Sequence, residues 1–275
     1  MGIFRCRVCG GILEREGQSY FCPRRHCFDI ARSGYVNLLP PSAAGKRHGD
    51  DRTMVRARTA LLDRGFYDPL SALICSLTVE YAPNTLTVLD VGCGEGKYSA
   101  DVLHALDDAG KSATVVGIDI SKEALPAAAR REKRLILAAA SSAALPLEDE
   151  SADILLNIFS PFMGTEFRRV LKPGGRLIRA VPLEDHLWEL KSLIYDRPYR
   201  NDPPSREEKG FHLTESRELR YEVTLCGEEI LSLFMMTPYY YKTGRDDQEK
   251  ARQAQILTTR LEFGVQIFQK TEGTV

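Results

Sequence analysis

No stretch of this sequence is apolar for long enough to cross a bilayer. Its longest uncharged runs, such as Leu135 to Leu147, fall short of the ~20 residues a membrane helix needs. A secretory leader is not expected, because Arg5 and Arg7 flank Cys6 where its apolar core would begin. A disulfide framework is not expected either. Seven cysteines is an odd count, which in a cytoplasmic protein points to free thiols and metal ligands. Net charge is almost absent at -1, and the balance of 43% hydrophobic to 27% charged residues excludes long disorder. At 275 residues the chain has room for one catalytic domain plus something small.

The near-zero net charge conceals an asymmetry. Residues 1–64 hold 12 Lys and Arg against 6 Asp and Glu, whereas residues 65–275 hold 25 against 32. A polyanion is one partner that would use a basic N-terminal end, since phosphate neutralisation supplies most sequence-independent affinity for nucleic acid. A solvated basic surface is the alternative.

Cys6 and Cys9 form a C-x-x-C knuckle followed by Gly10 and Gly11, and Cys22 is followed at the fourth position by His26. Two ligand pairs separated by a hairpin-length insert are what tetrahedral zinc requires. About forty residues cannot bury enough apolar surface to fold alone, so the metal would be structural and would supply much of the stability. Cys27 is an alternative fourth ligand, with His26 preferred on its spacing from Cys22.

The stretch from Pro40 to Asp51, PPSAAGKRHGDD, reads as a boundary or loop. The expected organisation is a metal module over residues 1–40, a linker and the start of a basic helix over 41–65, and a catalytic domain over 66–275. An amphipathic helix is expected from near Thr53, using Met54, Leu61, Leu62 and Phe66, with Arg52, Arg56, Arg58 and Arg64 along an RNA path or on a solvated face.

Beyond it, Val88 to Val91 is an apolar run ending in Asp90-Val91-Gly92-Cys93-Gly94-Glu95-Gly96, which predicts a buried strand, a glycine-rich turn and a helix N-terminus. A dinucleotide-binding G-x-G-x-x-G would place glycine where Lys97 stands. The form G-x-G-x-G after Leu-Asp resembles the first motif of class I methyltransferases and favours S-adenosylmethionine. A second strand ends at Asp119, where a carboxylate can accept from both ribose hydroxyls. A third leads to Ser141 and Ser142, where such enzymes contact adenine. A fourth ends in Asn157 to Phe162, facing the reacting methyl, with Asn157 and Ser160 as candidates to position the substrate ring and Phe159 or Phe162 either to stack on an extruded base or to pack in the core. Gly174 and Gly175 turn into a fifth strand. Strands alternating with helices predict an α/β class I fold with a mostly parallel, seven-stranded sheet. His186 falls near a helix start at the active edge, where it is either a donor to the methionine carboxylate or a cap.

The segments CPRRHCFDIARSGYVNLLP, DRGFYDPL, VLDVGCGEGKYS and PLEDHLWELKSLIYD, in this order after the first knuckle, resemble the bacterial 23S rRNA guanine-N1 methyltransferases, a group that includes macrolide-resistance methylases. The likeness runs up to MMTPYYYK. It implies zinc on Cys6, Cys9, Cys22 and His26, and cofactor contacts from Tyr67, Gly94, Glu95 and His186. It also implies dimers and, as substrate, a guanine in the helix 35 hairpin of 23S rRNA. NIFSP resembles the Gram-positive branch without fixing which guanine is modified. Two other functions are compatible with the residues: a small-metabolite methyltransferase with a structural zinc module, and a non-catalytic rRNA-binding assembly factor that retains a cofactor pocket.

Overall fold

The computed structural model describes residues 2–40 and 49–271, so residues 41–48 of the expected linker lie outside the described residues. The N-terminal segment forms a small antiparallel sheet from β1 (Phe4–Arg5), β2 (Ile12–Glu16), β3 (Ser19–Phe21) and β4 (Cys27–Asp29). The turn joining β1 to β2 is the first cysteine knuckle. There Cys6 N donates to Gly11 O and Gly10 N donates to Cys6 O, both at 2.8 Å. Phe4, Leu13 and Phe28 are buried on the inner side and pack with Leu145 and Leu147 of the larger domain.

A fifth strand, β5 (Tyr35–Asn37), leaves this head. α1 (Arg52–Asp63) then begins at Asp51, whose carboxylate accepts from the amides of Thr53 and Met54, as an N-cap should. α2 (Asp68–Tyr81) carries proline in its first turn, where no donor is lost. From there strands and helices alternate: β6 (Thr85–Val91), α3 (Lys97–Asp108), β7 (Ser112–Asp119), α4 (Leu125–Arg131), β8 (Ile136–Ala139), β9 (Ala152–Ile158), α5 (Gly164–Val170), β10 (Leu171–Pro182) and α6 (Trp188–Ile194). The chain finishes with β11 (Phe211–Cys226), α7 (Glu228–Met235), α8 (Arg245–Gln253) and β12 (Ile256–Lys270).

The large sheet runs β11-β12-β10-β9-β6-β7-β8-β5. β12 is antiparallel to both neighbours and the pairs from β10 to β5 are parallel. Five of these strands, β6 to β10, are the ones located in the sequence, and β11 and β12 bring the count to the expected seven. The eighth is β5, which pairs Tyr35 to Asn37 with Leu137 to Ala139 and so extends the sheet with a strand from the first forty residues. Its sequence, three residues between turns, is too short for periodicity to reveal. Val88, Leu89, Leu155 and Leu156 in the central strands are all fully buried. Helices cover both faces, which is why these strands read as unbroken apolar runs. The chain leaves β6 toward β7 and β8 and returns on the other side as β9. The carboxyl ends of β6 and β9 therefore open a crevice where their connections part.

Candidate metal centre and cofactor cavity

In the head, one atom each of Cys6, Cys9, Cys22 and His26 lies within 4.8 Å of all the others. His26 Nδ1 stands 3.5 Å from Cys6 Sγ and 3.3 Å from Cys22 Sγ, and the sulfurs of Cys9 and Cys22 are 3.6 Å apart. A tetrahedron with metal–sulfur bonds of about 2.3 Å has edges of about 3.8 Å, so the four donors are spaced to share one zinc ion. The amides of Val8 and His26 donate to Cys6 Sγ and Cys22 Sγ. Desolvation works to raise the Cys22 thiol pKa, and the hydrogen bond from His26 helps to hold it below its ordinary value. Cys27 is exposed with its sulfur 3.7 Å from Asp29 Oδ1, and it is not one of the four converging donors, whereas His26 is. The protein supplies four ligands, as structural zinc sites do.

The crevice at the sheet's carboxyl edge holds a cavity of about 370 Å³, within the usual range for small-molecule sites. Val91 to Glu95 form its floor. Ile118 to Ile120, Ala140 and Ser142 form one side, and Ile158 to Pro161 the other. Gly49, Asp50, Arg58, Leu62, Tyr67, Tyr98 and Met236 close it. Gly92 has φ +85°, and a Cβ there would stand 2.4 Å from Ser160 Cβ. Gly94, at φ +54°, donates its amide to Asp119 Oδ2 at 2.8 Å. Ser121 N donates to Asp119 Oδ1 at 2.7 Å. Each carboxylate oxygen thus keeps acceptor capacity for one hydroxyl of a ribose diol. Burial raises the Asp119 pKa, and the amides of Ser121 and Gly94 work against that rise.

Of the residues singled out from the sequence, Tyr67, Gly92, Gly94, Glu95, Asp119, Ser142 and Ser160 line the cavity. Five others, Asp90, Gly96, Ser141, Asn157 and His186, are not among its lining residues. Asp90 sits beneath the turn, accepting from Ser99 Oγ at 2.5 Å, and burial lifts its pKa to about 7. Gly96 caps α3 and faces Ala128 of α4. Ser141 Oγ accepts from Ala143 N at 3.2 Å and stabilises its own turn. Asn157, 1% exposed, donates to Ser160 O at 3.1 Å and to Ser160 Oγ, which in turn donates to Val91 O at 2.6 Å. Asn157 therefore acts through Ser160, holding the loop after β9 against the turn after β6.

His186 is the largest displacement from expectation. Its Nδ1 accepts from Glu262 N at 3.1 Å, and its ring stacks 4.8 Å from Phe263. Phe263 in turn packs at 5.6 Å on both Tyr67 and Phe159, so an aromatic ring stands between the imidazole and the cavity. Burial and the nearby Lys191 lower its pKa to about 3, which keeps the ring neutral. The two phenylalanines after β9 also part company. Phe159 is 44% exposed on the cavity wall, with the left-handed φ of +52° that costs strain in a bulky residue. Phe162 is packed between Phe167 and Phe211.

The basic helix is divided in the same way. Arg52 pairs with Glu123 and Arg64 with Glu229, Arg56 is exposed, and Arg58 turns inward to the cavity, where it meets Glu95 and Asp50. Arg58 and Asp50 are the site residues that the sequence did not reveal. A usable signal existed, since Arg58 and the apolar Leu62 are four residues apart and share a helix face.

A zinc-ribbon family model described as RlmA, N-terminal, matches residues 4–46, and a methyltransferase-domain model matches residues 88–175. A putative 23S rRNA (guanine-N1)-methyltransferase of Bacillus subtilis is 36% identical over 254 residues, covering 89% of each chain. The 23S rRNA (guanine(748)-N1)-methyltransferase of Streptomyces fradiae is 39% identical over 191 residues, 68% of this chain and 65% of that one. Among solved structures, the YcgJ protein of Bacillus subtilis shares the fold with a TM-score of 0.50 at 16% identity, over 74% of this chain and 100% of that one. Taken with a four-ligand head and a glycine-floored cavity in one molecule, these relatives show that the chain belongs to the 23S rRNA (guanine-N1)-methyltransferases, S-adenosylmethionine-dependent enzymes that carry a zinc ribbon.

Proposed function

We propose that this enzyme moves the methyl group of S-adenosylmethionine to N1 of a guanine in the helix 35 hairpin of 23S rRNA, acting in the cytoplasm as a homodimer. The observation that carries the reading is the junction between head and cavity. Leu38 N donates to Ala139 O at 2.9 Å, one residue before Ala140 on the cavity wall, so an RNA held by the head is presented to the reacting end of the sheet.

The cofactor supplies an electrophilic methyl, and the chain's residues do the rest. Asp119 accepts from the ribose, Gly92 and Gly94 let the backbone lie against the ligand, and Ser142 borders the adenine side. Phe159 offers its exposed ring to the extruded guanine, and Ser160, fixed by Asn157, sets the edge of the opening. Alignment is the main catalytic task, since displacement at the methyl needs the N1 lone pair in line. The N1 proton must leave as the bond forms. The segment Phe159–Pro161 bears no titratable side chain, so the proton is proposed to pass to water.

A basic groove supports the RNA partner. Arg32 of the head, Arg130 and Lys133 near α4, and Arg52 and Arg56 of α1 line two adjoining concavities that share Arg130. Phosphates following that groove would run from the head across α1, the helix that closes the cavity.

The test is incubation with methyl-labelled cofactor and an unmodified large-subunit RNA fragment, followed by mapping of reverse-transcription stops. A stop at one guanine of the hairpin is the expected result. Label entering a small metabolite and no RNA would establish the competing reading, and RNA binding with no label would make the protein an assembly factor. Light scattering of the purified protein, with an expected mass of twice 30.8 kDa, tests the dimer.

A further inference from the structure

The Arg58 side chain is only 18% exposed, and each of its nitrogens has a different fate. Nε donates to Glu95 Oε2 at 2.5 Å, and Nη1 donates to Asp50 Oδ2. Nη2 is buried and has no hydrogen-bond partner among the described residues. It lies over the cofactor turn, because a Cβ built on Gly94 would stand 2.9 Å from it. A buried guanidinium edge without a partner costs free energy unless something fills the place, and a carboxylate is the acceptor that guanidinium geometry fits best. Burial opposes the charge on Arg58, but Glu95 and Asp50 override it and raise its pKa, so the group stays cationic when sealed in.

The surroundings narrow the ligand further. Asp50, Glu95 and Asp119 border the same cavity, with Arg58 as the one Lys or Arg among the described residues that line it. A ligand that is cationic overall yet bears one carboxylate suits that balance, and S-adenosylmethionine, with a sulfonium, an ammonium and a carboxylate, is such a ligand.

We propose that Arg58 is the clamp for the cofactor's carboxylate, with Nη2 donating to it and with Glu95 and Asp50 fixing the guanidinium in place. This assigns to α1 the carboxylate-donor role that was one of the two readings of His186, and it rests on the reading of the cavity as the S-adenosylmethionine site.

The test is calorimetric binding of S-adenosylmethionine and of its decarboxylated analogue, which keeps the sulfonium and the amine. The wild-type protein is expected to favour the intact cofactor by about 10- to 100-fold, the range for a hydrogen bond between charged groups. In Arg58→Lys, which keeps the charge but loses the fork, that preference should fall to within about 3-fold, while affinity for the analogue stays near wild type. Equal affinity of the wild type for both ligands overturns the clamp, as does a parallel loss of both in the variant, which would mark Arg58 as a brace between Glu95 and Asp50. If Arg58→Lys does not fold, Asp50→Asn in the segment before α1 frees one side of the guanidinium and must reduce the preference. An unchanged preference there overturns the proposal. Failure of the wild type to bind either ligand would instead sink the cofactor reading itself.

Discussion

Two turns in this protein are built from the same residues and do opposite things. The head's Cys6–Gly11 turn and the sheet's Gly92–Gly96 turn both interleave cysteine with glycine. In the first, the thiols converge with a second pair on one point, and the backbone holds the turn open for a metal. In the second, Cys93 is buried with its thiol pKa pushed well above the ordinary value by burial, and it packs against Gly117 at the edge of the cavity that the turn lines. Cysteine is a ligand where a second pair answers it in space. Alone beneath a sheet edge, it is a small apolar filler.

The largest effect should come from breaking the first turn. Cys22→Ser is expected to take zinc from one per chain to none by atomic emission and to cut rRNA methylation more than about 100-fold, since such ions contribute on the order of 10 kcal/mol to small modules. Cofactor affinity should stay within about 3-fold, because the glycine floor does not touch the metal. Cys27→Ser should leave the zinc in place.

The glycines give the next contrast. Gly10 has φ +72° and open space where a Cβ would go, so Gly10→Ala should cost only about 1–2 kcal/mol of stability in denaturant melts. Gly92→Ala adds the collision with Ser160 to a similar backbone penalty, and cofactor affinity should weaken about 100-fold by calorimetry. Equal effects at the two positions would erase the distinction between an open and a filled turn.

Asn157→Ala tests the loop that meets the second turn. Single-turnover methylation should fall about 10-fold or more while cofactor affinity changes little, since the side chain positions Ser160 without lining the cavity.

The order and type of elements were legible because the domain's interior leaves a direct trace in the sequence. Val88-Leu89 and Ile154 to Leu156 are apolar without alternation because both faces of their strands are covered. The metal ligands were legible for another reason, since four donors must converge and their spacing is fixed by the hairpin between them. What a helix face meets leaves a fainter trace, here the four-residue spacing of Arg58 from Leu62. Arg56 and Arg58 look alike in sequence, yet one faces solvent and the other closes the cofactor cavity. His186 falls at the expected place in the chain, but Phe263, which separates it from the cavity, lies 77 residues farther along and could not be anticipated.

A smaller effect should separate the outer face of α1 and α4 from the inner one. Arg130→Ala is expected to weaken RNA binding only a few-fold and to lower the salt slope by about one, with cofactor binding unchanged. The last effect is one of pH and concerns the carboxyl under the second turn. Burial lifts the Asp90 pKa from 3.8 to about 7, so the native state holds that proton more tightly than the unfolded chain does. Its contribution is favourable at acid pH and is lost as pH climbs from about 4 through 7. Asp90→Asn should therefore gain thermal stability relative to wild type between pH 4.5 and pH 8, and a pH-independent difference in melting temperature would count against that account.

The strand that the head lends to the large sheet has a further consequence. A parallel sheet that stopped at Ile136–Ala139 would show a row of unsatisfied peptide groups to any neighbouring chain, the template on which strands add without limit. Tyr35 to Asn37 occupy that row, and at three residues they are too short to be a good template themselves. Stripping the zinc should therefore do more than silence the enzyme: the protein should also begin to clump, because its metal-held head doubles as an end-stop against self-association.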